Sequence, residues 1–276
     1  MIRFAEVENN IMHPVQQTVF PGGEVNINLN ITEDEIATRV RGRSEIVLYA
    51  HLQNSDDVMA MILTVDALRR VFFGCKVILY MPYLPYARQD RVCNVGESLS
   101  LAVIAQLINS CNFKHVVIAD PHSDVAPALI NNCLIETQVD IFGKLRNDWS
   151  NIHIVAPDAG ATKKAEVFAK AVGAASVIQC MKKRDLATGQ LSGFVCTEDV
   201  TDKHLFILDD ICDGGGTFLG LRAILSAAAT VELAVTHGIF SKGLDVVANA
   251  FDRVYTTNSF TGKTLKGKNV TCINLT

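Results

Sequence analysis

The stretch Leu205-Phe206-Ile207-Leu208-Asp209-Asp210-Ile211-Cys212-Asp213-Gly214-Gly215-Gly216-Thr217 leaves few folds open to this chain. An apolar run of strand length ends in two carboxylates, turns through three glycines and enters Phe218 to Ala229, which has helical periodicity. Glycines lack a Cβ, so successive backbone N–H groups can face one point, and the N-terminus of the following helix adds positive potential there. A phosphate fits that point. Carboxylates only accept hydrogen bonds, which suits them to ribose hydroxyls, and they also hold Mg²⁺ through water. A sugar phosphate therefore matches the stretch better than a bare anion. The alternative, a glycine-rich turn capping a core helix, leaves the two acids in front of it without a role.

The rest of the chain supplies the sheet that such a turn needs. Thr18 to Val25 reads as a hairpin around Pro21-Gly22-Gly23. Glu45 to Ala50 reads as a buried strand, Asp56-Asp57 as the cap of a helix to about Phe73, and Lys76 to Met81 as the next strand. His115 to Asp120, Ile152 to Ala156, Val177 to Cys180, a strand near Phe194, Val231 to Phe240 and a strand near Val254 continue the alternation with helices. That order implies parallel sheets with crossovers, an α/β fold. Val117-Ile118-Ala119-Asp120 with Asp124 echoes Ile207-Leu208-Asp209 with Asp213, a hint of internal duplication.

Pro82 to Arg91 places two prolines, two tyrosines and two arginines just past a strand's carboxyl end, where open α/β sheets bind ligands. Arginine pairs with phosphate oxygens through two donors and stacks on aromatic bases. His122 stands beside Ser123 and Asp124 at another strand end, suited to a metal or a phosphate. Asp158, after Pro157, reads as the cap of the helix that follows.

These motifs together resemble one family. Phe206 to Thr217 is similar to the phosphoribosyl-diphosphate-binding motif shared by type I phosphoribosyltransferases and ribose-phosphate diphosphokinase (PRPP synthetase), whereas Tyr83 to Arg91 resembles an element of PRPP synthetase alone. The resemblance implies two tandem type I phosphoribosyltransferase-like domains, each a mainly parallel sheet flanked by helices. It implies transfer of the diphosphoryl group of ATP to the 1-hydroxyl of ribose 5-phosphate, giving PRPP and AMP, with Mg²⁺ as cofactor. Phe20, Glu24, Arg88, Gln89, Asp90 and His122 would bind ATP. Asp209, Asp210, Asp213, Gly214, Gly215, Gly216 and Thr217 would bind ribose 5-phosphate, and His122 and Asp158 would hold the metal. Lys182 and Arg184, on a loop that closes over the reaction, would be the catalytic pair. The loop Phe20 to Glu24 would reach a neighbouring subunit, which implies a homo-oligomer, dimer-based and up to a hexamer. Thr256-Thr257-Asn258-Ser259 resembles the family's Thr-Asn-Ser. The chain departs from the family at Gly22, where an acid is usual, and at Gly214, where a hydroxyl is common. A PRPP-consuming phosphoribosyltransferase would leave Tyr83 to Arg91 unexplained. A catalytically silent regulatory relative would be favoured by loss of the Lys182/Arg184 pair or the metal residues, which are present.

Composition bounds what remains. With 276 residues, 49% hydrophobic and 20% charged, the chain suits two domains of about 140 residues each. The expected domains are 1–147 and 148–276, with the polar run Asn147-Asp148-Trp149-Ser150-Asn151 as linker. A net charge of −4 gives no general attraction for nucleic acid or an anionic membrane, so neither is expected as a partner. The eight cysteines contain no C-x-x-C pair and are expected as small core residues in a reducing compartment. No signal peptide or spanning run is read, which makes the cytoplasm the expected location.

Overall fold

The computed structural model describes residues 1–8, 11–32, 45–184 and 191–275, and of 182–184, 191 and 192 the backbone alone. The chain divides into two compact units. One is Met1–Glu136 with Ser259–Gly262, and the other is Thr137–Asn258 with Lys263–Leu275.

In the first unit, the described strands are β1 (Ile2–Glu6), β2 (Met12–Pro14), β3 (Gln16–Val19), β4 (Val25–Asn28), β5 (Glu45–Ala50), β6 (Lys76–Met81), β7 (His115–Ala119) and β8 (Cys133–Glu136), with helices α1 (Ser55–Val71), α2 (Ser100–Ser110) and α3 (Val125–Leu129) between the later ones. The sheet runs β2-β1-β5-β6-β7-β8, parallel from β5 to β8 and antiparallel at β1 and β2. Pairing of Ile46 with Val77 and Leu48 with Leu79 brings apolar side chains of adjacent strands onto one face, where they join Met61, Val65 and Leu68 of α1 in a continuous core. The cap of α1 is Asn54, not Asp56-Asp57: its side chain accepts the Asp57 N–H at 2.9 Å, while Asp57 Oδ2 accepts the Gln53 N–H at 2.9 Å. The expected hairpin is present, with Val19 opposite Val25 and Gly23 at φ 90° in the turn.

The second unit contains α4 (Gln138–Phe142), β9 (Ile152–Ala156), α5 (Thr162–Val172), β10 (Ser176–Arg184), β11 (Leu191–Cys196), β12 (His204–Cys212), α6 (Gly216–Ile224), β13 (Thr230–Gly238), α7 (Leu244–Ala248), β14 (Arg253–Thr257) and β15 (Val270–Ile273). Its sheet runs β11-β10-β9-β12-β13-β14-β15, parallel except for the β10–β11 hairpin. The α/β class and the two mainly parallel sheets match expectation.

Three local expectations are revised. The run 147–151 is not a linker. Trp149 is 3% exposed, its ring meeting Phe168 and Phe206 edge-on at centroid distances of 5.2 and 5.1 Å, with the Arg146 guanidinium 4.6 Å over it. The polar neighbours of one large aromatic hid a core residue, and the chain passes between units at Glu136/Thr137 rather than 147/148. The helix after the glycines stops at Ile224 instead of Ala229, because Ala227 O and the Ala229 N–H bond to Asp202 and Lys203 of the preceding turn. Two cysteines are not free thiols. Cys180 and Cys196 face each other across β10 and β11, Cα atoms 4.2 Å apart, and form a disulfide. The adjacent Thr197 N–H to Gln179 O bond makes theirs the non-hydrogen-bonded kind of cross-strand pair, in which side chains approach closest. Spacing along the sequence carries no trace of that register.

Candidate functional site

The strand order of the second unit turns around at β9, which lies between β10 and β12. Such a reversal opens a crevice at the carboxyl ends of the strands on either side of it. Here the crevice has a definite beginning. Pairing of β12 with β9 ends at Ile207 opposite Val155, whereas β12 stays paired with β13 as far as Cys212 opposite Gly238. Beyond Ile207, Asp209 and Asp210 on β12 therefore stand on one side of the opening and Asp158, just past β9, on the other. The strand thus continues through both acids, four residues past the Leu208 end read from the sequence.

Asp210 is buried, at 7% exposure, and its N–H is accepted by Asp209 Oδ1 at 2.9 Å. Burial raises the Asp209 carboxyl well above the usual carboxylate range, and the charges of Asp210 and Asp158 raise it further. Asp158 Oδ1 accepts the N–H groups of Gly160 and Ala161 at 3.0 and 3.3 Å, bracing the turn into α5. It is not the formal cap of α5, which is Ala161. Gly215 then turns the chain into α6 at φ 76°, and a Cβ there would stand 2.7 Å from Val247 Cγ2, so both conformation and space call for glycine. Asp213 and Gly216 are exposed, and Gly214 and Thr217 half-buried, at the mouth of this turn. All seven residues expected for the sugar phosphate thus lie along one strand end and helix start.

In the first unit, the loop after β6 is anchored on both sides of its two exposed ligand candidates. Leu84 and Ala87 are buried in the core, Tyr86 adopts φ 62° with its hydroxyl 3.3 Å from Ser55 Oγ, and the Leu101 N–H donates to Gln89 O at 3.3 Å. Arg88 and Gln89 stand exposed between these anchors. Asp90 pairs with Arg91 at 3.0 Å and bonds Ser123. Burial alone would raise the Asp90 carboxyl, but Ser123, Arg91 and the charge of His122 outweigh it and hold the group below its ordinary value. The loop and the His122 turn, separate in sequence, therefore meet.

Phe20 is 50% exposed at the tip of the β3–β4 hairpin and Glu24 is exposed beside it. A Cβ at Gly22 would stand 2.9 Å from Glu24 Oε2, so the Glu24 carboxylate lies where an acid at position 22 would begin. The backbones of Lys182 and Arg184 are in β10, opposite Phe194 and Leu191, with a register shift between Lys183 and Arg184; their side chains lie outside the described residues, as do all of residues 185–190.

Among the described residues no three His, Cys, Asp or Glu side chains converge as a complete metal site. The negative charge that Asp210 and Asp158 place on Asp209 is of the kind that a bound cation relieves.

Two contributors had no signal in the linear sequence. The Phe260 ring meets Tyr83 of the loop edge-on at 5.3 Å, while Gln53 Nε2 donates to Phe260 O at 3.1 Å and the buried His51 bonds Ser259 O through Nδ1 at 2.9 Å. Lys242, far from the glycines in sequence, lays its stem against Gly214.

A doubly wound α/β protein with an acidic, glycine-turned crevice in one unit and an arginine-bearing loop in the other belongs to the class that handles phosphorylated sugars and nucleotides. Residues 5–111 match the N-terminal domain of ribose phosphate pyrophosphokinase. The ribose-phosphate pyrophosphokinase of Corynebacterium efficiens is 30% identical over 237 residues, spanning 83% of this chain and 70% of that protein. That of Mycoplasmopsis pulmonis is 28% identical over 257 residues, 90% of this chain and 77% of the relative. The crystal structure of phosphoribosylpyrophosphate synthetase from Mycobacterium smegmatis superposes with a TM-score of 0.76 at 22% identity, covering 95% of this chain and 86% of that one. The chain belongs to the ribose-phosphate pyrophosphokinase family.

Proposed function

We propose that the protein is a Mg²⁺-dependent ribose-phosphate diphosphokinase, converting ATP and ribose 5-phosphate to PRPP and AMP. The observation that carries this reading is that one family chain holds both halves of the required site. The glycine-turned crevice with Asp209, Asp210 and Asp213 suits a sugar phosphate, and the Arg88-Gln89 loop joined to the His122 turn suits a nucleotide triphosphate.

In this reading Gly214, Gly215, Gly216 and Thr217 cradle the 5-phosphate through backbone N–H groups, and Asp209, Asp210 and Asp213 orient the ribose hydroxyls. Arg88, Gln89, Asp90 and His122 hold the triphosphate, with Phe20 and Glu24 serving the adenine of a neighbouring subunit. His122 and Asp158 would hold Mg²⁺, which would neutralise phosphate charge. The 1-hydroxyl of the sugar attacks the β-phosphorus in line, AMP leaves, and Lys182 with Arg184 faces the charge that spreads over the transferring group. The half-exposed apolar tip Val19-Phe20 supports contact with another copy; a homo-oligomer, dimer-based and up to a hexamer, belongs to the same reading. A cytoplasmic location belongs to the same reading; no helix among the described residues is long and apolar enough to cross a membrane.

Incubating the protein with ATP, Mg²⁺ and ribose 5-phosphate and identifying the nucleotide released tests this. AMP in step with PRPP is expected. ADP would reassign the protein to simple kinase chemistry, and no turnover would favour a silent regulatory role.

A further inference from the structure

The sugar-phosphate crevice is rich in negative charge. Asp209, Asp210 and Asp213 run directly into the cradle, Asp158 stands just past β9, and the proposed guest is itself a dianion. Backbone N–H groups alone set partial charges against full ones, so the site calls for a cation close to the glycine turn.

The turn after β13 provides one. It is laid directly on the cradle: the Ile239 and Phe240 N–H groups donate to Cys212 O at 2.9 and 3.1 Å, and the Ser241 N–H donates to Asp213 O at 3.1 Å. These bonds use the carbonyls of the cradle and fix the next residue, Lys242, beside Gly214. A Cβ built on Gly214 would stand 3.4 Å from Lys242 Cδ and Cε and 3.6 Å from Cγ, so the lysine stem passes Gly214 at the distance where an added Cβ would just meet it in ordinary van der Waals contact. The residue is exposed, which leaves its ammonium at the solvent mouth of the crevice where a phosphate would enter.

Resting on the sugar-phosphate reading above, we propose that Lys242 is a specificity-determining residue for the 5-phosphate, its ammonium pairing with the phosphate held by residues 214–217. It adds full positive charge to a turn whose three glycines offer only backbone donors, and so makes recognition of the phosphorylated sugar depend on a charge pair.

Direct titration of ribose 5-phosphate and of ribose into wild-type protein, Lys242→Gln and Lys242→Arg by calorimetry tests this without turnover, with steady-state kinetics alongside. A charge-assisted bond to phosphate predicts about 10- to 100-fold weaker ribose 5-phosphate binding in Lys242→Gln. The KM for ATP and kcat should stay within about two-fold, most of the loss should be restored in Lys242→Arg, and the gap between variants should narrow as salt is raised. An unchanged thermal midpoint would separate lost recognition from lost folding. Equal ribose 5-phosphate affinity in wild type and Lys242→Gln would overturn the assignment, as would an equal loss for unphosphorylated ribose. Wild-type protein that binds ribose 5-phosphate through Lys242 but releases no AMP would refute the reaction and leave this inference standing; wild-type protein that binds no ribose 5-phosphate would refute both.

Discussion

The N–H of Asp210 donates to Oδ1 of Asp209 at 2.9 Å, which holds two neighbouring carboxylates at the mouth of one crevice. Burial and the charge of Asp210 raise the Asp209 carboxyl well above its ordinary value, so ionising it costs the folded protein. The sign follows directly: stability that is present while the group is protonated is lost as pH rises through the folded value. Asp209→Asn keeps the acceptor and removes the charge. The ligand-free variant should therefore melt about 2–4 °C higher at pH 7.5, the shift of roughly 1 kcal/mol in a domain of this size, while PRPP formation falls by at least about ten-fold. A variant that melts at or below wild type would show that Asp209 carries no such cost.

Phe260 supports the Pro82 to Arg91 loop, proposed to hold ATP, from a distant part of the chain, through its edge-on contact with Tyr83. Phe260→Ala should raise the KM for ATP by about 5- to 20-fold, with the ribose 5-phosphate KM near wild type, since misplacing a positioned group by a fraction of an ångström weakens binding steeply. Phe260→Tyr, which keeps the ring, should recover most of the affinity. Equal effects on both substrates in initial-rate measurements would assign Phe260 a general structural role.

The second unit's aromatic cluster sets its stability. Trp149, edge-on to the stacked rings of Phe168 and Phe206 and beneath Arg146, should cost about 3–5 kcal/mol on replacement by alanine. Denaturant unfolding followed by circular dichroism would read this as a lower midpoint. A loss under about 1 kcal/mol would mean that the 147–151 run behaves as the linker its polarity suggests.

The thiols should divide by environment. Burial, with Asp209 and Asp213 adding negative charge, pushes the Cys212 thiol up to about 12, whereas Cys93 is exposed. Brief alkylation of the native protein followed by peptide mapping should mark Cys93 first and Cys212 last. The same map, run without reductant, should recover Cys180 and Cys196 as one crosslinked peptide. Two independently alkylated peptides would show the pair to be free thiols.

Lys182→Ala should lower kcat by at least about 100-fold with little change in either KM, because charge that develops during transfer is absent from the bound substrates. Near-normal kcat would remove Lys182 from the mechanism.

The pattern of residues along the chain determined a great deal. Strand-length apolar runs alternating with helical segments, the glycine turn after Asp209-Asp210 and the arginine-bearing loop after Met81 are local signals, because backbone conformation and periodicity are set by near neighbours. Which of these segments meet was decided by tertiary structure. The crevice exists because β9 leaves β12 at Ile207, and Trp149 is core because Phe168 and Phe206 close over it. Cys180 meets Cys196 through strand register, while Phe260 and Lys242 reach their partners across long stretches of sequence. Such contacts depend on packing between elements whose separation along the chain carries no periodic mark, so they become visible only when the chain is folded.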